Sequence, residues 1–297
     1  MKQMILITLV IQIFLFGDFI TGDKIILKVT SNVAEDTTPG WFIYSYKVVS
    51  LPSSEQNLWC FAIKKLPDYA VFYPRNIGIP HWGASVAGFI HMRTMPGSPD
   101  TVVLSSLGRG GIDWSSSDST FDIVPGDSLI NLSYHSPFMP DIKDYYAEGE
   151  HPLPWFPEGE APDTPLHGYD DLTPYGPGIV GKTVGPGLPP PMKPIWPWGH
   201  CSDSAFIHLL RKNDTLYYDL HWIKREQAYE QIKRRINHAL DHLWTGRIEQ
   251  CKSVLTHLLD YLDRVRGDEI TDEAYFILYY RVRYVRDNVW YGNPGKK

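Results

Sequence analysis

Between Pro137 and Pro197 the chain carries 15 of its 24 prolines. A run so poor in backbone donors, with Gly176-Pro177-Gly178, Gly185-Pro186-Gly187 and Pro189-Pro190-Pro191 inside it, forms neither a regular helix nor a central strand. It therefore splits the chain into two regions that must each build a core. On its N-terminal side apolar residues recur with period two, and on its C-terminal side with period 3.6. The expected organisation is a segment 1–22, a strand-rich domain 23–150, a Pro/Gly/aromatic-rich strap and linker 151–202, a helical bundle 203–290 and a polar tail 291–297. The fold class expected is an all-β sandwich-like N-terminal domain plus a separate all-α four-helix C-terminal bundle.

The N-terminus begins with Lys2, continues as an apolar block from Met4 to Phe16 and meets Thr21-Gly22 before Asp23-Lys24. A largely apolar block of thirteen residues is short for a membrane span of about 20, and a charged start with a small-residue exit reads as a secretion signal. An uncleaved anchor is the alternative. Both place the body of the protein outside the cytoplasm, extracellular or on the cell surface, with no membrane span after signal cleavage.

Strand signals run through Ile25–Val29, Trp41–Val49, Asn57–Ile63, Ala84–Met92, Thr101–Leu107, Ser128–Tyr134 and Ile142–Tyr146, separated by Pro, Gly, Ser and Asn clusters. In Trp41–Val49 the residues Phe42, Tyr44, Tyr46 and Val48 share one apolar face, which asks for a second sheet to cover it. Gly108-Arg109-Gly110-Gly111 reads as a hairpin tip and not as a phosphate cradle, because Ile112-Asp113-Trp114-Ser115 leads into a Ser/Asp-rich turn in place of a helix. The strap holds Trp155, Phe156, Tyr169, Tyr175, Trp196 and Trp198, too many rings for a solvated spacer. Ile179–Val184 is expected to add an edge strand.

In the C-terminal part, Asp203-Ser204 caps a first helix with Phe206, Leu209 and Leu210. A second helix starts near Lys224 and lines up Ala228, Ile232, Ile236, Ala239 and Leu243. The third carries Ile248, Cys251, Leu255, Leu258, Leu259 and Leu262, and the fourth starts from Thr271 with Ala274, Leu278, Val282, Val285 and Val289. Gly246 and Gly267 stand where helices stop. Short loops between such stripes make an antiparallel bundle.

The stretch Thr245-Gly246-Arg247, Cys251 to Leu262, Val265-Arg266-Gly267-Asp268-Glu269-Ile270 and Glu273-Ala274-Tyr275 resembles the FIMAH-type helical domain at the C-termini of bacterial secreted proteins. Over about 85 residues, the resemblance implies secretion and an accessory role beside varied extracellular proteins. No catalytic residues come with it.

Charge is divided unevenly: residues 1–202 carry 12 Lys+Arg against 20 Asp+Glu, and 203–297 carry 16 against 14. Lys233-Arg234-Arg235 and Arg281, Arg283 and Arg286 are thus nearly balanced by acids, and no nucleic-acid partner is expected. His238 and His242 are spaced i, i+4 but lack the HExxH carboxylate and a third ligand, so no metal is assigned to them. Asp113, Asp118 and Asp122, or Asp170 and Asp171, sit in oxygen-rich stretches without a calcium-loop spacing. Neither a CxxC pair nor a Gly-x-Ser-x-Gly elbow occurs, and no catalytic residue or cofactor is expected. Cys60 reads as a buried strand residue. Cys201 and Cys251 could form a disulfide, or Cys251 could pack as a small hydrophobe.

Aromatic residues are the enriched resource, with 10 Trp and 18 Tyr. Trp82 and Trp114, read as turn residues, are the expected ligand-binding rings. The leading expectation is an exported, non-catalytic binding or surface-organising protein whose partner is a glycan, a cell-wall component or another protein. The alternative is a secreted hydrolase of glycoside or peptide bonds, with its site on the β domain or the strap.

Overall fold

The structure, a computed structural model, describes residues 24–63, 73–74, 81–86, 112–149, 178–190 and 203–289. The described strands are β1 (Leu27–Glu35), β2 (Phe42–Ser50), β3 (Leu58–Ile63), β4 (Tyr73–Pro74), β5 (Trp82–Val86), β6 (Ile112–Ser116), β7 (Ser128–Ser136), β8 (Met139–Gly149) and β9 (Ile179–Gly187). They form a four-stranded sheet in the order β1-β2-β7-β4 and a five-stranded sheet in the order β5-β6-β3-β8-β9. Four helices follow: α1 (Asp203–Asp214), α2 (Glu226–Trp244), α3 (Ile248–Val265) and α4 (Asp272–Asn288). The expected fold class, a two-sheet β part followed by four helices, is what the structure has.

The chain divides into two compact units. Tyr46–Tyr134 and Asp144–Gly181 make up most of the first; Thr30–Ser45, His135–Lys143 and Lys182–Lys297 form the second. In the first unit, alternation puts Tyr46 and Val48 of β2 and Leu132 and Tyr134 of β7 inward. There they meet Phe61 and Trp114 of the other sheet, with Tyr46 at 6.1 Å from Phe61 and 6.0 Å from Trp114, centroid to centroid. The Tyr46 and Tyr134 hydroxyls bond each other at 2.9 Å, which satisfies two polar tips that burial would otherwise leave without a partner. Burial of Tyr46 raises its phenol pKa well above the ordinary value.

β3 is buried on both faces over all six residues. It pairs antiparallel with β6 through Phe61↔Trp114 and with β8 through Phe61↔Ala147. β9 is the edge strand expected near 179–184, extended to Gly187. A Cβ on Gly181 would stand 2.4 Å from the outer end of the Tyr145 ring, so a larger residue there would have to displace that ring.

In the second unit the helices keep the expected apolar stripes. Ile232, Ile236, Ala239 and Leu243 of α2 and Cys251, Leu255, Leu258 and Leu262 of α3 are all buried. Gly246 (φ 71°) and Gly267 (φ 81°) take the left-handed conformation that ends α2 and α3. Thr271 caps α4 by accepting from the Ala274 amide at 3.3 Å. α2 begins at Glu226, two residues beyond the expected Lys224, because Arg225 is extended (φ −122°, ψ 132°) and the Lys224 amide bonds the Glu269 carbonyl at 2.8 Å outside the helix.

This unit also holds a buried charge network. Arg281 of α4 is fully buried and donates to the carbonyls of Pro140 and Leu188, each at 3.1 Å. It pairs with Asp141 at 3.0 Å and sits 2.8 Å from His208 Nε2, while Lys212 reaches the other Asp141 oxygen at 2.6 Å. Burial by itself would raise the Asp141 carboxyl, but the two cations outweigh it and hold the group below its usual value. Burial, then Arg281 and Lys212, push the His208 imidazole down to about 4. The neutral ring therefore accepts from Arg281 through Nε2.

Candidate cationic groove

Both rings expected to bind ligand are structural. Trp114 belongs to the central strand β6 and not to a turn; it is fully buried, stacking on Phe61 at 6.1 Å and on Tyr134 at 6.2 Å. The Gly/Ser/Asp flanks made a turn of a segment whose side chains in fact fill the inter-sheet space. Trp82 opens β5, is 4% exposed, and donates its indole N–H to the Phe121 carbonyl at 2.8 Å. Neither offers a ring face to a solvent-borne ligand.

Cys60 is a buried residue of β3, as expected. Cys251 is a free, buried thiol, and burial raises it to about 11; Cys201 lies outside the described residues. The same holds for the 108–111 loop, Asp170, Asp171, the 1–22 segment and most of the strap. Asp118 serves as N-cap of the short turn Ser119–Phe121, accepting from the Thr120 amide at 2.9 Å. Among the described residues no three His, Cys, Asp or Glu side chains come together as a metal site. No helix among them is long and apolar enough to cross a membrane. The acids Asp113 of β6 and Glu148 of β8 flank β3 and are both buried, with the Tyr146 hydroxyl donating to Glu148.

The arrangement with accessible chemistry lies on the bundle. α2 and α3 run antiparallel across the Thr245-Gly246-Arg247 turn and pack by their apolar stripes. The stripe fixes which residues flank the seam: positions 234, 235 and 238 on α2 face 254, 257, 260 and 264 on α3. Together Arg234, Arg235, His238, Val254, His257, Asp260 and Arg264 line a groove of about 720 Å³.

Three guanidinium groups converge there; the groove also holds the Asp260 carboxylate, but among the described residues none of the three forms an ion pair. Arg234 and Arg235 both donate to one acceptor, Gln231 Oε1, each at 2.7 Å, and Arg264 donates to the Asp260 backbone carbonyl at 3.3 Å. Arg235 lies over the Tyr261 ring at 4.5 Å and Arg264 is 5.8 Å from the same centroid, so one aromatic ring attracts two cations. Burial lowers the Arg235 pKa from its ordinary value; Tyr261 opposes this, and the like charges of Arg234 and Arg264 add to it. At the other end of the seam, His238 and His242 rings lie 4.5 Å apart, and burial followed by Arg247 and His238 lowers the His242 pKa. An assembly of this kind attracts anions: planar forks suited to carboxylate, sulfate or phosphate, held by cheap neutral contacts that a ligand can replace.

Counting charge along the chain concealed this site. Of the basic residues weighed from sequence, Arg281 is buried, Arg283 pairs with Glu35 and Arg286 with Asp287. Arg234 and Arg235 gain Arg264 and His257 from the next helix, a juxtaposition that i, i+3 and i, i+4 spacing on each helix permits but one helix does not display.

No family model matches the chain, and no curated protein matches it. Among solved structures, one similar chain is an uncharacterised protein from Nocardia farcinica with an immunoglobulin-like fold. It is 12% identical, with a TM-score of 0.28, over 51% of this chain and 94% of that one. A score of that size carries no argument, and the sandwich rests on the two sheets themselves.

Proposed function

We propose that this chain is an exported, non-catalytic binding protein whose helical part holds an acidic polysaccharide or acidic wall polymer along the α2–α3 groove. The observation that carries the reading is the convergence of Arg234, Arg235 and Arg264 with no ion-pairing carboxylate among the described residues. Fixed cations without a direct ion pair on a rigid helix pair are preorganised for an anion, and a groove open along two helices suits an extended chain better than a small ion. The accessory role implied by the FIMAH resemblance agrees with this, as does the export signal read at Lys2 and Met4–Phe16.

The test is titration of the full chain with polygalacturonate at rising salt, beside a single-stranded DNA of matched charge. Affinity for the polysaccharide should fall as salt screens the contacts. Arg235→Gln with Arg264→Gln should weaken it by about tenfold or more, at about 1 kcal/mol per screened contact. Salt-independent binding, binding unchanged in the double variant, or preference for the DNA refutes the reading.

A further inference from the structure

We propose that the turn joining α1 to α2 is a second binding site, a tyrosine platform that takes the apolar face of an uncharged pyranose ring. The turn Thr215–Asp219 is a single π-helical turn continuing α1. Wider turns of this kind are rare and recur at functional sites. Here the turn presents Tyr217 and Tyr218 side by side. Tyr217 stacks on Tyr229 of α2 at 4.5 Å and 12°, and Tyr218 stands edge-on to both, at 4.9 Å and 73° and at 5.3 Å and 71°.

Packing accounts for two of these rings but not the third. Tyr229 is buried, whereas Tyr218 is 61% exposed, a large planar side chain held in water beside two others. The turn is braced from the far side. The Trp222 amide bonds the Leu216 carbonyl at 2.9 Å, the Thr271 amide bonds the Trp222 carbonyl at 2.8 Å, and Ile223 bridges Ile270. The bracing fixes the backbone that carries the tyrosines, and a tyrosine has only two χ angles to lose, so a stacked ligand meets a small entropic cost.

Hydrogen-bonding groups surround the rings. Asp214 accepts from the Tyr229 hydroxyl at 2.8 Å, and Lys233 donates to the same hydroxyl at 2.9 Å. Burial raises the Tyr217 phenol, and the charges of Glu226, then Tyr218 and Glu230, raise it further. Sugar hydroxyls are donors and match carboxylate acceptors, while the C–H face of a pyranose matches a tyrosine plane. The same carboxylates repel an anionic sugar, so this site selects against the ligand class of the cationic groove and is independent of it.

The experiment is calorimetric titration of the full chain with three neutral hexasaccharides, β-1,4-linked glucose, mannose and N-acetylglucosamine. At least one should bind saturably, and Tyr218→Ala should weaken that binding about tenfold. Tyr218→Leu keeps apolar bulk but removes the plane, and should lose affinity equally while melting within about 2 °C of wild type, since the residue is exposed. Arg235→Gln should leave the affinity unchanged. Failure of all three sugars to bind, full affinity in either Tyr218 variant, or equal loss in Arg235→Gln overturns the proposal.

Discussion

Replacing Asp141 by Asn tests the buried charge network most directly. Arg281 has no solvent contact, and Asp141 is its anionic partner at 3.0 Å; its other partners are two carbonyls and a neutral imidazole. Stranding a buried cation costs about 3–5 kcal/mol. Asparagine keeps one acceptor oxygen, and the Asp141 side chain is 19% exposed, so the lower end applies, about 3 kcal/mol. In a chain of this size that is a fall in Tm of about 6–12 °C. Urea unfolding followed by circular dichroism measures it. The Asp141 pKa is depressed in the fold, so its contribution is present above the unfolded carboxyl pKa of about 3.9 and is lost as pH falls through the lower folded value; the gap between wild type and variant should close on acidification. Adding Arg281→Met should recover about 1 kcal/mol or more, because the stranded charge is gone. A cost below about 1 kcal/mol, or no recovery in the double variant, would refute the view that Asp141 neutralises Arg281.

His208, with its folded pKa near 4, should lend stability that is full above pH about 6.5 and declines between there and 4. After discounting for solvent screening of a half-exposed ring this is about 1–2 kcal/mol, and His208→Gln should flatten that part of the stability profile. Trp114→Ala should cost about 3–5 kcal/mol in denaturant melts, as expected of a filled core position and not of a binding ring. The Cys251 thiol, raised to about 11, should resist iodoacetamide at pH 8 in the folded chain and react once urea unfolds it.

The helices were legible because each stripe, each terminal glycine and the Thr271 cap is a local signal within one turn of its partner. The strands with alternating faces, such as β2, were legible for the same reason. β6 was not: Ile-Asp-Trp-Ser alternates for only four residues between Gly-rich and Ser/Asp-rich stretches, and its place in the sheet follows from pairing with β5, 26 to 34 residues away, and with β3, 49 to 55 residues away. Trp114 was misplaced along with it. The groove was half visible, since Arg234 and Arg235 stand out in the letters, while Arg264 and His257 join them only through the antiparallel docking of α3. Tyr217 and Tyr218 precede the second expected helix, which starts near Lys224, and the exposure of Tyr218 is a property of the π turn, which no spacing rule announces. The Arg281 network draws on residues 140, 188 and 208, far apart in the chain.

The position of β9 bears on how this protein avoids sticking to itself. As the outermost strand of its sheet it would offer a ladder of backbone groups to any second chain. Within the strand, Pro186 removes one donor and Lys182 sets an exposed charge near the middle. The proline richness that bars this segment from a sheet interior thus makes it a suitable border, a strand that can be added to the fold but is poorly suited to recruiting another copy.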